Sequence, residues 1–127
     1  EMQRSLVGSE MCIRDSSIEF YSKALGFTEV RRKEAADGSF VLVYLTDGVS
    51  PFLLELTWLR DHKDVYELGE NESHLCVRVS GDYNKVRAYH KEMGCVCFEN
   101  EVMGLYFIHD PDDYWIEILP AKEGIAL

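Results

Sequence analysis

Basic residues are scarce in this 127-residue chain: 13 Lys and Arg stand against 23 Asp and Glu, a formal net charge of −10. That imbalance argues against a nucleic-acid backbone as partner, which needs clustered cations. It argues equally against an anionic membrane surface. Long apolar runs are missing too, and none approaches the roughly 20 residues that span a bilayer. Cysteine is confined to Cys12, Cys76, Cys95 and Cys97. Nothing resembles the apolar core of a secretion signal, and Cys-x-Cys is poor spacing for a zinc site. Reduced, mostly buried thiols in a cytoplasmic protein are therefore expected. The 46% of hydrophobic residues is too many for a disordered chain and enough for one self-supporting core.

Periodicity divides the chain into two similar halves. Residues 17–25 (SIEFYSKAL) place Ile18, Tyr21 and Leu25 at helical spacing, and Gly26 follows as a stop. Residues 27–32, 40–45 and 52–58 read as strands, with Asp37-Gly38 and Asp47-Gly48 as turns between them. After Gly69 the pattern restarts: a strand at 74–79, a helix at 82–93 ended by Gly94, and strands at 95–99, 105–109 and 114–119. The helices align without a gap at an offset of 68 residues, as from Ile18 to Val86, Tyr21 to Tyr89 and Gly26 to Gly94. The last strands align as well, Glu55 matching Glu117 at an offset of 62. The economical reading is an internal duplication of a βαβββ unit. Module 1 covers 17–68 and module 2 covers 69–120, followed by a short tail.

Strand alternation singles out the chemistry-bearing residues. Leu53, Glu55 and Thr57 share one face, and Trp115, Glu117 and Leu119 share another. A carboxylate flanked by large apolar groups must be solvated, paired or metal-bound. His74, Cys76 and Arg78 share a face of their strand. Two glutamates and a histidine form an N/O donor set suited to borderline divalent metals such as Ni²⁺, Co²⁺ or Zn²⁺. His62 sits in a charged loop and His90 is expected on an exposed helix face. His109 ends a strand beside the Asp110-Pro111 turn, and the nearby aspartates lack the spacing of a calcium loop.

The order SIEFYSKALGF (17–27), LLELT (53–57), VYELG (65–69), SHLCVRV (73–79) and YFIHDPDDYWIEIL (106–119) resembles the vicinal-oxygen-chelate superfamily. Within it, the chain resembles the short bacterial glyoxalase I enzymes (lactoylglutathione lyases). The resemblance runs from about residue 17 to residue 120. It implies an α+β fold of two tandem βαβββ modules, each a half-open barrel, completed at a homodimer interface. It implies a divalent metal, Ni or Co favoured and Zn possible, held by Glu55, His74 and Glu117. Glu117 is then the base, with Glu55 as ligand and partner in the return transfer. Arg78 and Trp115 are the candidate substrate contacts, and the substrate is a small-molecule thiol adduct of glutathione or another thiol.

The family's fourth ligand belongs on the first strand, where the repeat points to Leu6, which cannot ligate a metal. Residues 1–16 lack the expected alternation, and RSLVGSEMCIRDS resembles translated sequencing-adapter sequence. An atypical segment therefore stands where most of the first strand is expected. A non-catalytic binding domain of the same fold is the alternative reading. A related epimerase would place His on one of these strands, and an extradiol dioxygenase would need a second His in a ligand position.

Overall fold

The computed structural model describes residues 15–121. Cys12, Leu6 and nearly all of the atypical 1–16 segment thus lie outside the described residues. Contacts divide the chain into two units between Tyr66 and Glu67. In the first, helix α1 (residues 15–25) precedes strands β1 (Thr28–Glu34), β2 (Phe40–Thr46) and β3 (Leu53–Leu59), which form an antiparallel sheet in the order β1-β2-β3. In the second, β4 (Leu75–Val79) precedes helix α2 (Tyr83–Met93), followed by β5 (Val96–Asn100), β6 (Leu105–His109) and β7 (Trp115–Pro120). Here the order is β4-β7-β6-β5, with β4 parallel to β7 and the other pairs antiparallel.

The expected elements are present with shifted ends. β1 extends two residues further, to Glu34, because its ladder with β2 continues as far as the Glu34–Val41 pair. His74 stands just before β4 instead of opening it, since pairing with β7 begins at Leu75–Ile116. The duplication is also visible in the irregularities. The β1–β2 register slips at Val30 and the β5–β6 register slips at Cys97, one bulge in each unit's corresponding strand.

Alternation sorts each sheet into a core face and an open face. Val41, Val43 and Leu45 of β2 are buried, as are Tyr21, Ala24 and Phe27 around α1. In the second unit Tyr106, Ile108, Ile116 and Ile118 are at most 1% exposed and form the core face. The helix ends are capped as their residues dictate. Asp82 accepts from the Lys85 amide, and Gly94, at φ 76°, takes the left-handed geometry that ends α2.

Two expectations, for His90 and for the thiols, are corrected. His90 is fully buried, not exposed. Tyr83, Val86, Arg87 and His90 fall on one helical face, and His90 Nδ1 lies 2.7 Å from the Tyr106 hydroxyl, so a partner makes its burial tolerable. The matched Tyr21 and Tyr89 are not equivalent: Tyr21 is 4% exposed and Tyr89 is 44% exposed. The helices share their glycine caps but bury different faces. Among the described residues, Cys76, Cys95 and Cys97 are free thiols, but only Cys95 is buried, because Cys76 lies on an open face and Cys97 in the bulge.

Two stability predictions follow from this packing. Ile118→Ala removes a fully enclosed side chain and should cost about 2–5 kcal/mol in urea unfolding. Tyr106→Phe keeps the ring but deletes the hydroxyl beside His90, and should cost about 1–3 kcal/mol in the same measurement.

Candidate active site

The open face of the second sheet carries a carboxylate–imidazole pair. β7 presents Glu117 between Trp115 and Leu119, opposite the buried Ile116 and Ile118. Register sets its neighbours, with Phe107 of β6 on one side and Cys76 of β4 on the other. His74 enters from the segment before β4, and its Nε2 lies 3.1 Å from Glu117 Oε2. On the far side of the ring, Nδ1 lies 3.3 Å from the Asn71 carbonyl oxygen.

The imidazole is therefore flanked by oxygens at both nitrogens. The Asn71 carbonyl and the Glu117 carboxylate both accept, and a neutral ring has one N–H to give, so one of its nitrogens turns a lone pair toward an oxygen. A metal ion at Nε2, with the ring N–H on Nδ1, satisfies both contacts. Metal bonds to His N and Glu O run about 2.0–2.2 Å. Two adjacent ligands of one ion at right angles then stand about 3 Å apart, close to the observed spacing. An N–H bonded to a backbone carbonyl is also the usual way a metal-ligating histidine is oriented. The pair fits a divalent cation in donor chemistry and spacing. No three His, Cys, Asp or Glu side chains form a metal-holding group among the described residues.

An aromatic wall borders the pair. Phe107 meets the His74 ring edge-on at 5.0 Å, and Trp115 lies 5.3 Å from Phe107 between centroids. Phe98, 47% exposed, stacks near Trp115 at 6.3 Å. Rings on one side of a carboxylate limit its hydration there. Cys76 stands by Glu117 in register, and burial followed by the charge of Glu117 pushes its thiol above the ordinary range.

Glu55 lies on the open face of the first sheet, exposed like Leu53 and Thr57, as alternation predicted. Thr57 Oγ1 donates to its Oε1 at 3.1 Å. Arg78 reaches the Pro120 carbonyl at 3.0 Å, so its cation is anchored at the end of β7. His62 stays in an exposed loop, stacked on Tyr66 at 4.3 Å. His109 Nδ1 lies 3.2 Å from Asp113 Oδ1 but out of hydrogen-bond alignment.

Two contributors were not singled out from sequence. Phe107 was noted only for its alternation with His109, since an aromatic on a strand looks like core. Asn71 has a legible signal, being a polar residue in a turn able to take positive φ, here 55°. Its carbonyl holds His74, and its side-chain oxygen accepts from the Trp115 amide at 3.3 Å.

The chain is similar to the lactoylglutathione lyase of Neisseria meningitidis, 32% identical over 117 residues that cover 87% of this chain and 84% of the relative. It belongs to the lactoylglutathione lyase (glyoxalase I) family. A probable lactoylglutathione lyase of Vibrio cholerae is 30% identical over 119 residues, covering 88% of this chain and 86% of the relative. Among solved structures, the trypanothione-dependent glyoxalase I of Leishmania major is 29% identical, with TM-score 0.70, covering 84% of this chain and 77% of that one. A glyoxalase/bleomycin resistance/dioxygenase domain from Frankia, 18% identical with TM-score 0.65 and covering 87% and 85% of the two chains, shows the shared fold. No family profile matches the chain. Among the described residues no helix is long and apolar enough to cross a membrane.

Cys76 gives a chemical readout of the pair. Glu117→Gln removes a negative charge beside the thiol, so more thiolate should form at a given pH. Iodoacetamide labelling of Cys76, followed by peptide mass spectrometry, should then reach its half-maximal rate at lower pH than in the parent chain. An unchanged profile would mean that Glu117 does not act on the thiol.

Proposed function

We propose that this chain is a metal-dependent glyoxalase I-type lyase, converting the hemithioacetal of a 2-oxoaldehyde and a thiol into a 2-hydroxyacyl thioester. The observation that carries this reading is the His74–Glu117 pair at 3.1 Å, with His74 oriented from behind by Asn71. Family membership supplies the reaction class. His74 and Glu117 are the proposed metal-holding residues, and Glu55 is a further ligand by family position. When bound, a divalent metal supplies Lewis-acid stabilisation of the enediolate oxygens. Ni²⁺ or Co²⁺ is favoured and Zn²⁺ is second, by analogy of chain length.

The reaction conserves every atom and moves only protons. Glu117 takes the proton from the sulfur-bearing carbon and returns one to the neighbouring carbon, which was the ketone. Glu55 is the partner proposed for the return transfer. Phe107 and Trp115 limit water around the Glu117 carboxylate, which protects the enediolate from side reactions. Arg78 and Trp115 are proposed substrate contacts, the first for an anionic group and the second for an apolar one. The thiol is given as a class, because relatives of this fold include lactoylglutathione lyases and a trypanothione-dependent enzyme. The working form is proposed to be a homodimer, and sedimentation would show twice the chain mass.

The second reading, a non-catalytic binding domain, is favoured by Leu6 at the position where the repeat calls for a ligand. Calorimetric Ni²⁺ titration of the metal-free chain, paired with methylglyoxal-plus-thiol turnover, separates the two. Binding with turnover is expected, and Glu117→Gln should then lower kcat by about 10²–10⁴-fold with Ni²⁺ still bound. Full turnover in that variant would remove Glu117 as base. Failure to bind, rescued by Leu6→His, would identify an enzyme scaffold lacking one ligand. Failure of both would favour the binding domain.

A further inference from the structure

Basic side chains are few in this chain, and most of those described are already engaged. Arg32 pairs with Glu29 at 2.7 Å, Arg87 and Lys91 share Glu99, and Arg78 donates to the Pro120 carbonyl. Arg31 and Lys33 of β1 are different. Both are exposed, and among the described residues neither forms an ion pair. Cross-strand register sets them on one face, with Arg31 opposite Tyr44 and Lys33 opposite Leu42. The next strand continues those rows with Glu55 and Thr57. Two cations thus stand on the open face that carries Glu55. Their backbones are roughly 7 Å apart along β1, and Glu55 lies two strand spacings from Arg31, roughly 10 Å.

The duplicated fold does not call for these charges. The matching strand of the second unit is β5, since each strand carries its unit's bulge, at Val30 in one and Cys97 in the other. One residue past the bulge, Phe98 stands where Arg31 stands, and Asn100 takes the place of Lys33. β5 ends its sheet just as β1 ends the order β1-β2-β3. Charges on an end strand often discourage stray pairing, yet β5 does without them on this face. Direction tells against that use as well. The Arg31 guanidinium carbon lies 5.5 Å from the Tyr44 ring centroid, so the side chain leans inward over β2 and not off the edge. The ring face steadies the cation, while its five N–H donors in a planar fork remain largely available to an anion.

We propose that Arg31 and Lys33 form a subsite for a carboxylate of the small molecule that Glu55 helps to bind. The proposal rests on the assignment of Glu55 to the reacting centre and adds the charge of the substrate to it. Two adjacent cations repel each other. A carboxylate set between them relieves that repulsion and offers Arg31 paired acceptors. In a chain of net charge −10, an anionic ligand is repelled by most of the surface, so a local positive pair decides where its carboxylate rests. The spacing suits a molecule whose reacting carbons lie within about 10 Å of its carboxylate. A neutral hemithioacetal would leave both cations idle. The adduct is therefore an anionic one, its carboxylate carried by the thiol half or by the 2-oxoaldehyde half.

The test compares the full parent chain with Arg31→Gln, Lys33→Gln and the double variant, all with Ni²⁺ present. Three unreactive thioethers are titrated by calorimetry. S-Methylglutathione carries its carboxylates on the thiol half. The 4-carboxyphenacyl thioether of 2-mercaptoethanol carries one on the oxoaldehyde half, and the plain phenacyl thioether of 2-mercaptoethanol carries none. Exposed ion pairs are individually weak, so at least one anionic thioether should bind about 3–10-fold more weakly to the double variant, with the single variants in between. Added salt should shrink that difference, and the uncharged thioether should bind all four forms alike. A loss confined to S-methylglutathione assigns the carboxylate to the thiol half. A loss confined to the carboxyphenacyl compound assigns it to the oxoaldehyde half, and a loss with both means that the subsite accepts either. Anionic thioethers that bind all four forms equally would overturn the proposal. So would failure of both to bind the parent, or an equal loss with the uncharged compound. Equal thermal midpoints for the four forms exclude an effect through folding. Methylglyoxal–glutathione turnover is measured on the same parent. Charge-dependent binding without turnover would remove the glyoxalase reading and leave the subsite, and turnover with charge-indifferent binding would do the reverse.

Discussion

A β-strand shows its side chains to two faces in turn, and both units of this protein depend on that alternation. Val43 and Leu45 face the core while Tyr44 between them faces out. Ile116 and Ile118 are sealed while Glu117 between them remains partly accessible. A slip of one residue would drive the carboxylate into the core and expose both isoleucines. Burying an unpaired carboxylate costs several kcal/mol, and exposing two isoleucines forfeits about 1.5–3 kcal/mol each. The hydrophobic content of the strand therefore holds the polar residue in place.

With the register settled, the chemistry depends on what lies beside each carboxylate. Glu117 has a ring on one side, a thiol on the other and an imidazole at 3.1 Å. That imidazole has an acceptor at each nitrogen and, when neutral, one N–H to share between them. A cation held at Nε2 would leave the ring N–H for the Asn71 carbonyl. The backbone carbonyl of Asn71 contributes as much as a side chain would, because it decides which ring nitrogen faces the carboxylate.

Particular residues show how far the sequence could be read. Glu55 and Glu117 stood out because a charged residue between aliphatic ones is costly unless it has a use. The helix ends were legible because Gly26 and Gly94 each follow an amphipathic run, and both adopt positive φ. The candidate ligand His74 was legible by position within SHLCVRV, yet its partner at Nδ1 was not. That partner is a carbonyl, which every residue possesses. His90 was misread because a histidine on a helix gives no sign of direction. Its burial depends on a tyrosine sixteen residues away that happens to offer a hydroxyl at the right depth. Tyr89 aligns with Tyr21 yet is exposed where Tyr21 is buried, since matching letters in a repeat do not guarantee matching faces.

What the sequence by itself determined is the plan: two halves, their strands and helices, the face on which each glutamate stands, and the family to which that order belongs. The elements and faces follow from local periodicity and spacing, which a chain carries before it folds, and the family from the resemblance of its motifs. Tertiary structure alone decided the company each group keeps. Register across strands gave Glu55 a phenol and Glu117 a phenyl ring. A turn at Asn71 set the orientation of His74. Such pairings join residues distant in the chain, and their energies depend on distances of about 3 Å that no one-dimensional pattern encodes.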